Sequence, residues 1–380
     1  MGFLPKREAG GSCPARNCDD ERVRRGVVAT ATGGRLFRRS CDDERGRRVV
    51  KVAVFGLGAV GARVTRQLAS TDGVAEILLS GPHRERLEAV VKAVGTRVQA
   101  VHDAEAAGEV DVAVLAGPAT TQQGLARALV TRGVSVVSVS DALDDVEYLL
   151  SLDDVARRAG TVVAVGAGFA PGLSCVLADH AAATLDVVDE IHVAKVGTGG
   201  PECARQHHRA FADAARELRD GSWVEYRSGS GRELCWFPDP IGARDCYRAS
   251  LPDSVLLAAA FPGARRISAR LSASRRDRLT GRFPMMRPPH PEGGPGALRV
   301  ELRGWRAGEY RVEVLGVMDR PAVAAGAVAA LAATEIASGH VMRAGSAGLS
   351  QLVEALPFLH ELHRRGVRAA TFEGRARHIA

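Results

Sequence analysis

Between Lys195 and Arg209 the chain gathers groups able to move protons and hold anions: Lys195, Glu202, Cys203, Arg205, His207, His208 and Arg209. A lysine amine and an imidazole suit proton transfer to or from a heteroatom near neutral pH, and guanidinium forks suit carboxylates. Lys195 with His207 or His208 are the candidate catalytic groups, and Arg205 and Arg209 the candidate substrate-binding groups. Adjacent helix residues point about 100° apart, so at most one histidine of the pair readily faces a given site. Farther along, the turn-rich stretch Trp236–Gly242 leads to Arg244, a further carboxylate fork, and Tyr247, a phenolic proton donor. The alternative for this stretch, and for the proline-rich loop Arg287–Gly294, is that each simply stiffens the surface.

Cys203 and His207 also have the i, i+4 spacing of two metal ligands, with Cys235 or Cys246 as conceivable partners. No recognisable second half accompanies them, and no Cys-x-x-Cys occurs, so the sequence predicts no metal.

A second constellation lies upstream, where Gly56, Gly58 and Gly61 form G-x-G-x-x-G between the apolar run Val49–Phe55 and an amphipathic stretch from Ala62. Strand, tight turn and helix in this order form a dinucleotide fingerprint: one glycine turns the chain, one admits the pyrophosphate, one lets helix and strand pack. Gly56, Gly58, Ala59, Val60 and Gly61 are the candidate cofactor-binding residues of this turn. An Asp or Glu about 20 residues on would bind the ribose hydroxyls. Ser80-Gly81 stands there instead, followed by His83 and Arg84, so NADP is expected, with NAD the alternative. Arg84 is otherwise read as a solvated charge beside Glu85 and Glu88. Ligands of an open parallel sheet bind beyond the carboxyl ends of its strands. That rule adds Gly117, Pro118, Ser140, Asp141 and Gly168, with helix capping before Asp144 as the alternative role of Ser140 and Asp141.

These residues need elements to hold them. Short β-rich runs alternate with helical stretches from residue 49 to 166: strands at Ala75–Ser80, Arg97–Val101, Asp111–Ala116, Val134–Val139 and Thr161–Val165, and helices at Arg84–Val94, Thr121–Arg132 and Asp144–Ala159. The expected fold class is α/β, a Rossmann doubly wound parallel sheet plus a second α+β substrate domain. For that second domain the pattern predicts strands at Val188–Val196, Trp223–Ser228, Leu234–Phe237 and Asp245–Ala249, a helix at Ala204–Arg219, and a hairpin of Leu298–Gly304 with Tyr310–Val317. Helices Arg320–Ser338 and Gly348–Arg365 follow. The boundaries read 1–48 for a disordered basic extension, 49–170 for the nucleotide-binding domain, 171–345 for the substrate domain and 346–372 for a C-terminal helix packing back on the first.

The junction Val163–Ser174, a Gly-rich turn with Pro171-Gly172 running from the sixth strand into a helix, resembles the saccharopine dehydrogenase-like oxidoreductases, as does the ending Leu352–Val367. Ala170 stands where that family commonly has Asp before Pro-Gly. The resemblance implies reversible hydride transfer between NADP(H) and a carbon bearing nitrogen or oxygen on a small carboxylated substrate. Reduction of a C=C bond or of a lipid-like ketone, or non-catalytic NADP binding as a sensor or scaffold, are the alternatives.

Charge narrows the partners. Residues 1–50 hold 12 Lys+Arg against 7 Asp+Glu, whereas the other 330 carry 39 against 37, so no basic face for nucleic acid is indicated. Residues 1–48 lack hydrophobic periodicity, repeat one pentapeptide at Cys18–Arg22 and Cys41–Arg45, and show no apolar core of signal-peptide length. A native start downstream of them is the alternative reading. The apolar run Ala322–Ala337 reads as a packed helix, so no membrane is expected. A small-molecule substrate, a homodimer and a cytoplasmic setting complete the expectations.

Overall fold

The computed structural model describes residues 49–95, 97–101 and 110–371; the predicted extension 1–48 lies outside the described residues. Strands β1 (Val50–Phe55), β2 (Val74–Ser80), β3 (Val98–Ala100), β4 (Val112–Leu115), β5 (Ser135–Ser138) and β6 (Val162–Ala164) alternate with helices α1 (Ala59–Ala69), α2 (Arg84–Val94), α3 (Gln123–Thr131), α4 (Leu143–Leu150) and α5 (Asp153–Ala159). The predicted single helix 144–159 is thus two, broken at Ser151–Leu152. Strands covered on both faces read as continuous apolar runs, and β4 and β5 are buried at every position. All pairings in this sheet are parallel, in the order β3-β2-β1-β4-β5-β6, the Rossmann arrangement. The strand order reverses between β1 and β4, and ligands of such sheets bind above that point.

Helix α6 (Leu173–Ala182) leads into a second, mixed sheet built on β7 (Val187–Val196). The helix predicted at 204–219 is instead α7 (Pro201–Arg209) followed by β8 (Ala215–Arg219). Residues 215–219 have helix-forming types, but pairing with β9 (Ser222–Tyr226) across a tight turn overrides that preference. Next come β10 (Glu233–Trp236), β11 (Ala243–Arg248), α8 (Asp253–Ala260), β12 (Arg266–Ser272) and α9 (Arg275–Thr280). The predicted hairpin forms as β13 (Gly296–Arg306) and β14 (Glu309–Asp319), closed by Ala307-Gly308 with positive φ at both residues, as a primed two-residue turn requires.

The chain then returns to the first sheet. Helix α10 (Pro321–Ser338) packs on α1 and strands β1, β4 and β5. Up to its last turn it is apolar on every face, as a largely enclosed helix must be, and 78% of it is buried within the protein. Strand β15 (Gly345–Ala347) pairs parallel with β6 as a seventh strand. Residues 321–347, assigned from the sequence largely to the second domain, therefore cover and extend the first sheet: the apolar faces of β1, β4 and β5 need a layer that α1 alone does not supply. Helix α11 (Ala355–Arg364) packs on α6 and α10, and β16 (Ala369–Thr371) joins β14.

Candidate active site

One cavity of about 420 Å3 opens above the point where the order of the first sheet reverses, and residues of both sheets line it. Its first wall is the glycine turn. Gly56 has φ +99°, and a Cβ there would lie 2.6 Å from the backbone of Ala116 and Gly117. A Cβ on Gly61 would lie 1.8 Å from the Gly56 carbonyl, so this glycine seats α1 against β1 without lining the cavity. Gly58 differs: nothing lies within 4 Å of the Cβ it lacks, and it caps the N-terminus of α1 facing open space. Turn, open approach and close packing fall on the three glycines in the order a bound pyrophosphate requires, so the cradle fits a dinucleotide.

Ser80 ends β2, where its carbonyl accepts from Gly56 N, and its side chain does not line the cavity. Gly81, Pro82 and His83 do. Arg84 is exposed and spends its Nε on Glu88 at 2.8 Å; Arg86 lines the cavity instead. The sequence placed a cation in this turn of α2, and helix phase decides that it is the third residue.

Gly117, Pro118, Ser140, Asp141 and Gly168 all line the cavity. Capping is not their role, since Ala142 is the N-cap of α4 and no side chain caps it. The Ser140 hydroxyl donates to Asp145 Oδ2 at 2.7 Å, and Asp145 also accepts from Thr120 N and Gln123 Nε2. Asp145, fully buried and not foreseen from the sequence, thereby fixes the β4 and β5 turns together.

From the second sheet come Lys195 and the start of α7. Lys195 is 2% exposed; its Nζ donates to the Ala170 carbonyl at 2.7 Å and lies 3.9 Å from Asp253 Oδ2. Asp253 is completely buried and takes a 2.6 Å hydrogen bond from Ser174 Oγ on its other oxygen. On α7, His207 Nε2 is 3.1 Å from Asp141 Oδ2, the Cys203 thiol donates to the same oxygen at 3.2 Å, and Cys203 Sγ is 3.6 Å from His207 Nε2.

Burial, reinforced by the Lys195 charge, pulls the His207 pKa down, so the imidazole is neutral at pH 7. Burial pushes Asp141 up, but the His207 hydrogen bond and the Lys195 charge outweigh it and keep the carboxylate ionised. Burial raises the Cys203 thiol, and the Asp141 carboxylate raises it further. Among the described residues the other cysteines do not line the cavity: burial pushes Cys175, in α6, up to about 12, and Cys235 and Cys246 are free thiols in a separate apolar cluster.

Besides Gly61 and Ser80, five predicted site residues lie outside the cavity lining. His208 falls on the other side of α7, its Nε2 against the Phe283 carbonyl at 3.0 Å. Arg209 is exposed and paired with Glu202. Arg244 sits exposed on β11, bonded to its neighbour's carbonyl. Tyr247 is buried with Phe211 and Leu271, the Arg278 guanidinium 3.8 Å from its ring centroid. Arg84 completes the set. Of the arginines proposed for substrate, only Arg205 lines the cavity, with Glu202 as its partner.

Comparison with known proteins follows the same lines. Residues 51–142 match the family described as NADP oxidoreductase coenzyme F420-dependent, which covers β1 to β5. Apo saccharopine dehydrogenase (L-Glu forming) from Saccharomyces cerevisiae superposes over 85% of this chain and 100% of its own, with a TM-score of 0.62 and 14% identity. The chain has the saccharopine dehydrogenase-like fold. The residues matched by the family include the glycine turn, Gly117 and Ser140. A DAP dehydrogenase from C. glutamicum in complex with DAP matches over 83% of this chain and 96% of its own, at TM-score 0.47 and 15% identity. No curated protein sequence matches the chain.

Proposed function

We propose that the protein transfers a hydride between NADP(H) and a small carboxylated substrate, at a carbon double-bonded to oxygen or nitrogen in the oxidised form. The observation that carries this reading is a single cavity lined both by the glycine cradle and by Lys195. Gly58 and the N-terminus of α1 would hold the pyrophosphate, and Gly117, Ser140 and Gly168 the far end of the dinucleotide. When bound, the dinucleotide supplies or accepts the hydride. NADP is favoured over NAD because Ser80-Gly81 brings no carboxylate to the end of β2, while His83 and Arg86 line the cavity there.

The carbon that gains a hydride needs a proton on its heteroatom, and the reverse reaction must remove one. Lys195 Nζ is the proton-carrying group we assign to this step, held in place by the Ala170 carbonyl and Asp253. Arg205 is the group assigned to the substrate carboxylate. Fluorescence titration with NADPH and NADH, followed by turnover of 2-oxo acids with and without amines, tests the reading. Tighter NADPH binding is expected, together with NADPH oxidation on at least one such acid. Lys195→Met should keep NADPH binding and lower turnover by about 100-fold or more. Preference for NADH would overturn the cofactor assignment, and binding without oxidation across the panel would overturn hydride transfer.

A further inference from the structure

We propose that Asp141, Cys203 and His207 form a zinc site in the wall of the cavity. A carboxylate oxygen, a thiol sulfur and an imidazole nitrogen converge here from two distant parts of the chain, all three within 4.8 Å of one another. Among the described residues no other group of three such side chains converges in this way. Cys203 and His207 share one face of α7 through their i, i+4 spacing, and Asp141 reaches them from the end of β5.

The separations approach those of adjacent corners of a metal tetrahedron, two of the three edges being slightly shorter. Zinc bonds of about 2.0–2.3 Å at tetrahedral angles set donor atoms about 3.3–3.7 Å apart. The observed edges are 3.1, 3.2 and 3.6 Å, the longest involving sulfur. The donor set selects the metal: a soft sulfur excludes magnesium and calcium, which take oxygen, whereas mixed S, N and O ligation suits zinc. Three protein ligands with a fourth position open is the form of a catalytic rather than a structural zinc site. All three residues line the cavity, so the fourth position faces it. The nearby cation, Lys195, is engaged by Ala170 and Asp253 and does not fill the space between the donors.

Binding would convert the Cys203 thiol to a thiolate with release of its proton. Metal binding itself stands without the reading above; only its catalytic consequence rests on hydride transfer. There the fourth position would take a lone pair of the substrate heteroatom and draw electron density from the carbon that receives the hydride.

The whole chain, stripped with chelator, loaded with Co2+ and freed of excess by gel filtration, tests the site. About one retained Co2+ per site is expected, with a near-ultraviolet thiolate-to-cobalt absorption. Cys203→Ser should retain one equivalent less and lose that absorption. Should Cys203→Ser not fold, Asp141→Asn serves, with the same loss of retention expected. No retention by the unaltered protein, or undiminished retention in the variant, would overturn the proposal. NADPH titration and NADPH oxidation by the stripped protein are scored separately, so failure of the metal site and failure of the hydride-transfer reading remain distinguishable.

Discussion

Lys195 is a charge placed where charges are expensive. Its amine is compensated by one carbonyl and by a carboxylate at 3.9 Å that is itself completely buried. Burying two ions costs several kcal/mol each, and their attraction offsets this only while both are present. Asp253→Asn is therefore expected to destabilise the protein by about 3 kcal/mol, read as a fall in the denaturant midpoint. Lys195→Met added to Asp253→Asn should recover much of that loss, since it removes the stranded charge; an additive double variant would refute the coupling. Lys195 and His207 were legible in the sequence because a polar cluster between a strand end and a helix start is visible as such. Asp253 was not, because it meets Lys195 only through the packing of α8 against β12, the strand paired with β7, and nothing in its neighbourhood in sequence distinguishes it from a helix-start carboxylate. Asp141 was legible as a cavity residue but not as the partner of Cys203 and His207, a contact across 62 positions.

At the scale of elements, the β1 turn and α1 separate two uses of glycine that sequence alone runs together. Gly58 has φ −68°, open to any residue, and free space beyond its missing Cβ. Gly61 has no such space. Gly58→Val should leave the melting temperature nearly unchanged while weakening NADPH binding, because the added side chain occupies the pyrophosphate cradle. Gly61→Ala should instead lower stability by about 1–3 kcal/mol, since its Cβ cannot fit without separating α1 from β1. Thermal melts and NADPH titrations of both variants check the pair, and equal effects on both quantities would defeat the distinction. The alternation of elements around this turn was legible because parallel strands buried on both faces leave continuous apolar runs. The break between α7 and β8 was not, because residues 204–219 carry helix-forming types throughout and only pairing with β9 and β12 decides their state. Arg86 rather than Arg84 is the same lesson in miniature: a helix turn, not a residue type, selects which cation faces the cavity.

Across the whole molecule, the two sheets are tied by a chain that leaves the second and returns to the first. Helix α10 supplies much of the covering layer over β1, β4 and β5, and Gly326 allows it to approach α1 so closely that a Cβ would meet Arg63 Cβ at 2.6 Å. Strand β15 then extends the first sheet and β16 the second, so neither sheet is complete without residues that follow the other. A molecule connected in this way should lose both sheets in one cooperative transition. The tryptophans allow the check: Trp223, Trp236 and Trp305 are the chain's three, and all lie in the second sheet. Their fluorescence therefore follows the second sheet, whereas far-ultraviolet dichroism at helical wavelengths is dominated by the layers around the first. Coincident denaturant curves from the two probes are expected. Gly326→Leu, which pushes α10 off α1, should shift both curves to lower denaturant together, whereas an unmoved fluorescence curve would show that the second sheet holds without the first.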